Sequence, residues 1–110
     1  MINIKINRNE ENNIIYFSVN GHANFDEFGK DIVCASISIL SQTAVLALYE
    51  VANIDVTYEM DEGLISCRIP DNIDVKQREK ANIIIDTMLI GIKGTIEIYP
   101  EYITLQDEEV

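Results

Sequence analysis

The residue pattern predicts an α+β protein: one mixed or antiparallel sheet in the order β-β-α-β-β-α-β, packed with two helices, the first of them largely buried. Short runs alternate apolar and polar residues with a period of two, as strands do. Two much longer runs repeat apolar residues at steps of three and four, as amphipathic helices do. Turn-forming residues separate these runs, among them Asp61-Glu62-Gly63, Pro70 and Pro100.

In chain order, Ile2, Ile4 and Ile6 alternate with Asn3, Lys5 and Asn7, placing three β-branched side chains on one strand face. A polar stretch from Arg8 to Asn13 reads as a turn. Ile14 to Asn20 follows as the second strand of an antiparallel hairpin, with Ile15, Phe17 and Val19 on the face opposite Tyr16 and Ser18. Gly21 to Lys30 fits neither period and is predicted to be a loop. Asp31 then serves as N-cap for a helix reaching Asn53, with Val33, Ile37, Leu40, Ala44, Leu48 and Val51 on one face. Ile39, Leu46 and Ala47 extend its apolar character to other faces. Asp55–Met60 and Leu64–Ile69 form a second hairpin around Gly63. A second helix opens at Asp74 and runs toward Ile96, its last turns weakened by Gly91 and Gly94. A final strand, Tyr102 to Gln106, precedes an acidic tail.

With 110 residues, the chain has the length of one domain, spanning 1–110, and no repeat divides it. Eight basic against nineteen acidic residues give a net charge of -11, which disfavours direct nucleic-acid binding and attracts basic polypeptides. Two cysteines and no leader-like segment suggest a reducing compartment, the cytoplasm. Ser36, Ser38, Ser41, Gln42 and Thr43 interrupt the longest apolar run, so no membrane association is expected.

One histidine and two cysteines bound the nucleophilic and metal chemistry open to this chain. They make no convincing zinc set, and no glycine-rich phosphate loop follows a strand, so neither a metal nor another cofactor is expected. Cys34 falls in the first turn of the helix capped by Asp31, where free N–H groups and the helix dipole favour a thiolate. The amides of Cys34 and Ala35 are candidate donors to an oxyanion. Ser38, Ser41 and Val45 continue one face from Cys34. Ser38 either bonds the thiolate, the histidine or a nearby carbonyl, or back-bonds to the carbonyl of Cys34. The plain alternative for Cys34 is a small buried hydrophobe, and for His22 a loop residue serving its own turn. Asp31 either caps the helix or orients His22. Cys67 alternates with Ile65 and Ile69 and is expected in the core.

Gly21-His22-Ala23, five variable residues, Gly29-Lys30-Asp31-Ile32-Val33-Cys34-Ala35 and then Ser38 resemble the two motif blocks of the ribosomal-processing cysteine protease (Prp) family. The resemblance implies a homodimeric endopeptidase that removes the N-terminal extension of large-subunit ribosomal protein twenty-seven, a basic protein, after a Phe-Phe pair. It assigns Cys34 as nucleophile and His22 as general acid/base, with supporting roles for Asp31, Ser38 and Ala35. Ser36 departs from the still smaller residue expected there. On this reading Phe25 and Phe28 cover aromatic substrate residues, while Gly21 and Gly29 act as hinges of a loop that orders on substrate binding. Two other readings stand beside it: a non-catalytic assembly factor gripping a basic ribosomal tail, and a thiol redox sensor.

Overall fold

The computed structural model describes residues 1–27 and 30–109. Five strands form one mixed sheet: β1 (Ile2–Arg8), β2 (Ile14–Asn20), β3 (Thr57–Asp61), β4 (Leu64–Arg68) and β5 (Ile103–Glu109), ordered β3-β4-β2-β1-β5. β1 and β2 pair antiparallel, as do β2 with β4 and β3 with β4, whereas β5 runs parallel to β1. The two helices, α1 (Ile32–Glu50) and α2 (Val75–Ile98), contact each other and cover the apolar sheet face.

The period-two strands are built as expected, with Ile2, Ile4 and Ile6 buried and Asn3 and Lys5 exposed. The phase of β2 changes at its start. Asn7 faces Tyr16 but Arg8 faces Ile14, so Ile15 is the extra residue of a β-bulge. Ile14 is therefore sealed in the core and Ile15 is only half-buried.

β5 extends past the expected boundary at Gln106, taking part of the acidic tail into the sheet. Arg8 drives this: Nε donates to Asp107 Oδ1 at 2.7 Å and Nη2 to Oδ2 at 3.0 Å, a two-pronged pair between strands adjacent in space.

α1 is shorter than its pattern predicts and ends three residues early. Ala52 N–H returns to Ala47 O and Ile54 N–H to Leu48 O, with Asn53 at φ +55° turning the chain. Its burial is confined to one side, where Val33, Ile37, Ser41, Ala44, Val45 and Leu48 enter the core. Ile32, Ile39, Leu46 and Tyr49 lie exposed on the other, which corrects the expectation of a largely buried helix. Apolar residues on several faces signal burial only if something covers each face. The helix also has the length and mean hydropathy, 1.8, of a membrane span, so its polar residues do not exclude one by composition. Its packed side is what ties it to this core.

α2 keeps its regularity through Gly91 and Gly94, reaching Ile98. At Gly91 the missing side chain is what lets α1 approach: a Cβ there would stand 2.8 Å from Leu40 Cδ2. Asp74 and Gln77 form a reciprocal capping box, and Gln77 Nε2 also donates to Asn53 O, tying the end of α1 to the start of α2.

Phe17 lies at the centre of β2 and is fully buried. Phe17→Ala is expected to lower stability by about 3–5 kcal/mol in urea unfolding, because it empties the volume of the largest fully buried side chain of the core.

Candidate active site

The start of α1 is organised by Asp31. Its Oδ1 accepts from the amides of Val33 and Cys34, both at 3.0 Å, and its Oδ2 accepts from those of Phe25 at 2.9 Å and Asp26 at 3.3 Å. Burial pushes the Asp31 carboxyl up, but the hydrogen bonds from the amides of Cys34, Phe25 and Asp26 outweigh it and hold it below the ordinary carboxylate range. Capping is therefore the observed role, and among the described residues no hydrogen bond joins Asp31 to His22.

The cap changes the expected oxyanion site. Cys34 N–H is taken by Asp31 Oδ1, and Ala35 N–H is taken by the Asp31 carbonyl at 3.0 Å as the first helical bond. Neither is free to turn toward substrate. The backbone donor that faces the sulfur comes from the other side of the cleft, with Ala23 N–H directed at Cys34 Sγ at 3.1 Å. Sequence reasoning missed Ala23 because it lies eleven residues from Cys34 and has no polar side chain.

His22 leaves the end of β2 exposed to solvent. The register Asn20↔Leu64 brings the β3–β4 turn alongside, and Gly21 N–H donates to Gly63 O at 2.9 Å. Gly21, expected as a hinge, is instead pinned at φ +97°, where a Cβ would stand 2.5 Å from Met1 O. His22, Cys34, Ala35, Asp31 and Ser38 all line one cleft of about 640 Å³. Ile2, Val19, Ile37, Met60, Leu64 and Ile65 give it an apolar floor, and Asp26, Asp61 and Glu62 stand on its wall.

Ser38 does not back-bond to Cys34; its hydroxyl accepts from Gln42 Nε2 at 2.8 Å. The stripe leading from Cys34 thus runs through Ser38 to Gln42 at steps of four, and both line the cleft. Ser41, placed on that stripe from its spacing, turns into the core and bonds Ile37 O at 2.6 Å. Cys67 is fully buried in β4, and burial pushes its thiol up to about 12, leaving it unreactive.

Phe25 is not in the cleft. It packs edge-on against Tyr99 and Tyr102, with ring centroids 5.3 Å and 5.2 Å away, fastening the loop to the end of α2 and the approach to β5. Phe28 and Gly29, the other two loop residues singled out from sequence, lie outside the described residues.

A thiol at a capped helix start, sharing a concave cleft with an imidazole, is an arrangement suited to covalent peptide chemistry. Residues 1–104 match the family described as cysteine protease Prp. This chain belongs to that family. It is 33% identical over 99 residues to the ribosomal processing cysteine protease Prp of Bacillus subtilis, covering 88% of each chain. It is 31% identical over 107 residues to that of Staphylococcus aureus, covering 96% of this chain and 97% of the relative. The crystal structure of Staphylococcus aureus Prp with a covalently linked product peptide superposes with a TM-score of 0.88 at 29% identity, covering 98% of this chain and all of the other. A crystal structure of a Streptococcus mutans protein gives 0.82 at 32% identity, covering 100% and 96%. The protein is a cysteine protease.

In this Prp family member the cap and the loop share one carboxylate, which sets a pH dependence. The Asp31 pKa is lower in the folded state than in the unfolded chain. Its contribution to stability is thus present above the unfolded value of about 3.9 and is lost as pH falls through the folded value. Asp31→Ala is expected to cost about 1–2 kcal/mol at neutral pH and to flatten the acid limb of the stability profile. Asp31→Asn keeps an acceptor for the helix but removes the ionised group that holds the Phe25 and Asp26 amides. Amide exchange at those two positions rises while thermal stability falls less than in the Ala variant.

Proposed function

We propose that Cys34 and His22 are the catalytic pair of this protease, and that its substrate is the N-terminal extension of a large-subunit ribosomal protein, cut after a Phe-Phe pair. The observation that carries the pairing is the shared cleft, with Cys34 Sγ on the Ala23 N–H one residue from His22. The names of the relatives as ribosomal processing proteases carry the substrate. The apolar floor suits bulky aromatic residues before the scissile bond, and the acidic wall and net charge of -11 suit a basic ribosomal polypeptide.

The Cys34 thiolate attacks the carbonyl carbon, and the electron pair of the C=O bond moves onto oxygen. As the C–S bond forms, the sulfur gives up its negative charge, so Ala23 N–H is released from the sulfur and becomes the donor to the oxyanion. The imidazolium of His22 gives its proton to the leaving amine as the peptide C–N bond breaks. Neutral His22 then takes a proton from water, the hydroxide attacks the thioester, and the thiolate leaves. Ser38 and Gln42 offer hydrogen bonds along the cleft wall without taking part in proton transfer.

The loop segment from Ala23 to Glu27 is the gate over this cleft, and it moves by lifting Phe25 off Tyr99 and Tyr102. The working unit is a homodimer in the cytoplasm. Support for the dimer comes from Ile32, Ile39 and Leu46 on α1 and Ile83, Ile90 and Ile98 on α2, all exposed on the outward sides of the two helices.

A peptide containing Phe-Phe-Ala, incubated with the protein and read by mass spectrometry, is expected to be cut once, before Ala. Cys34→Ala abolishes the cut, and His22→Ala slows it by about 10²–10⁴-fold. An uncut peptide with the wild-type protein, or a cut that survives Cys34→Ala, would sink the assignment. In sedimentation, the wild type is expected to run as a dimer and Ile39→Glu with Leu46→Glu as a monomer.

A further inference from the structure

We infer that Gly63, at the tip of the β3–β4 turn, is a positioning residue for the His22 imidazole. This rests on the proposed catalytic pairing and names the element that sets the distance of the imidazole from the thiol. Two contacts carry it. The backbone of Gly63 accepts from Gly21 N–H at 2.9 Å, fixing the Asn20–Gly21 peptide, one unit before the peptide that joins Gly21 to His22. The Cα side of Gly63 lies against the ring itself: a Cβ there would stand 2.7 Å from His22 Nε2, 3.3 Å from Cε1 and 3.4 Å from Cδ2. These three atoms are Nε2 and its two bonded neighbours, so it is the Nε2 end of the ring that rests against the turn.

His22 is exposed, so no core packing holds its side chain; a surface histidine ordinarily samples several rotamers. The flat surface left by a missing side chain gives the imidazole one bounded resting place. A side chain at 63 leaves the backbone pairing to Gly21 intact and moves the ring, because the ring is the part free to yield. Gly63 also lies at φ +71°, which L residues rarely adopt, so the strain of a substitution has to be separated from its effect on the ring. Asn tolerates positive φ far better than Ala does, yet it too carries a Cβ.

The test compares Gly63→Ala and Gly63→Asn, each alone and combined with His22→Ala. The readouts are peptide cleavage, thermal unfolding, and the rate of Cys34 alkylation by iodoacetamide as a function of pH. Gly63→Asn is expected to melt near the wild type, and both single variants to lose about 100-fold in kcat with KM little changed, as a displaced catalytic group would give. In the His22→Ala background neither variant should lower cleavage or change alkylation further, since the group through which Gly63 acts is already gone.

Losses that multiply in that background, or a Gly63→Asn protein that cleaves like the wild type, overturn the inference. If His22→Ala itself cleaves and alkylates normally, the catalytic pairing has failed. If His22→Ala is impaired while both Gly63 variants are normal, the pairing survives and only the role of Gly63 falls.

Discussion

Asp31 folds the loop after β2 back onto the first turn of α1, the helix into which that loop runs. One carboxylate oxygen serves the helix amides of Val33 and Cys34 and the other serves the loop amides of Phe25 and Asp26. Such bonds to an ionised acceptor are stronger than neutral ones, and here they outweigh the cost of burying the charge. The Ala23-to-sulfur contact, and with it the distance between the two sides of the cleft, depends on that bridge. The same bridge occupies the amides of Val33 and Cys34 at the helix start.

The sheet does the complementary work. β2 is its middle strand, hydrogen-bonded on both edges, and it ends at Asn20, two residues before His22. Its register with β4 continues one step past the ladder, so that Gly63 meets Gly21 and the imidazole comes to rest on the turn. Three elements thus converge at one end of the sheet: a strand end with the histidine, a helix start with the cysteine, and a hairpin tip. The strand and the helix are anchored in the core through Phe17, Val33 and Ile37, all essentially inaccessible to solvent.

The contrast between the two cysteines shows environment deciding chemistry. Cys67 sits opposite Phe17 across the β2–β4 ladder, and desolvation keeps it protonated. Cys34 is partly exposed, borders the cleft and accepts a hydrogen bond from an amide. A redox-sensing role would need a resolving thiol within reach of Cys34, and the buried position of Cys67 does not provide one.

The element order, the capping of α1 by Asp31, the core position of Cys67 and the motif around His22 and Cys34 were legible in the sequence, because each depends on residue type and short-range spacing. Chain periodicity misjudged Ile15 and Ser41, since a bulge and a helix rotation change which face a residue presents. It also overestimated the burial of α1, because an apolar stripe does not say whether a partner covers it. Only the tertiary structure decided that β5 lies parallel beside β1, that Phe25 packs on two tyrosines, and that Ala23 and Gly63 shape the site. The last two act through a backbone N–H and a missing side chain, and neither has a chemical signature in a sequence. They matter through what stands next to them, and that is set by contacts between residues far apart in the chain.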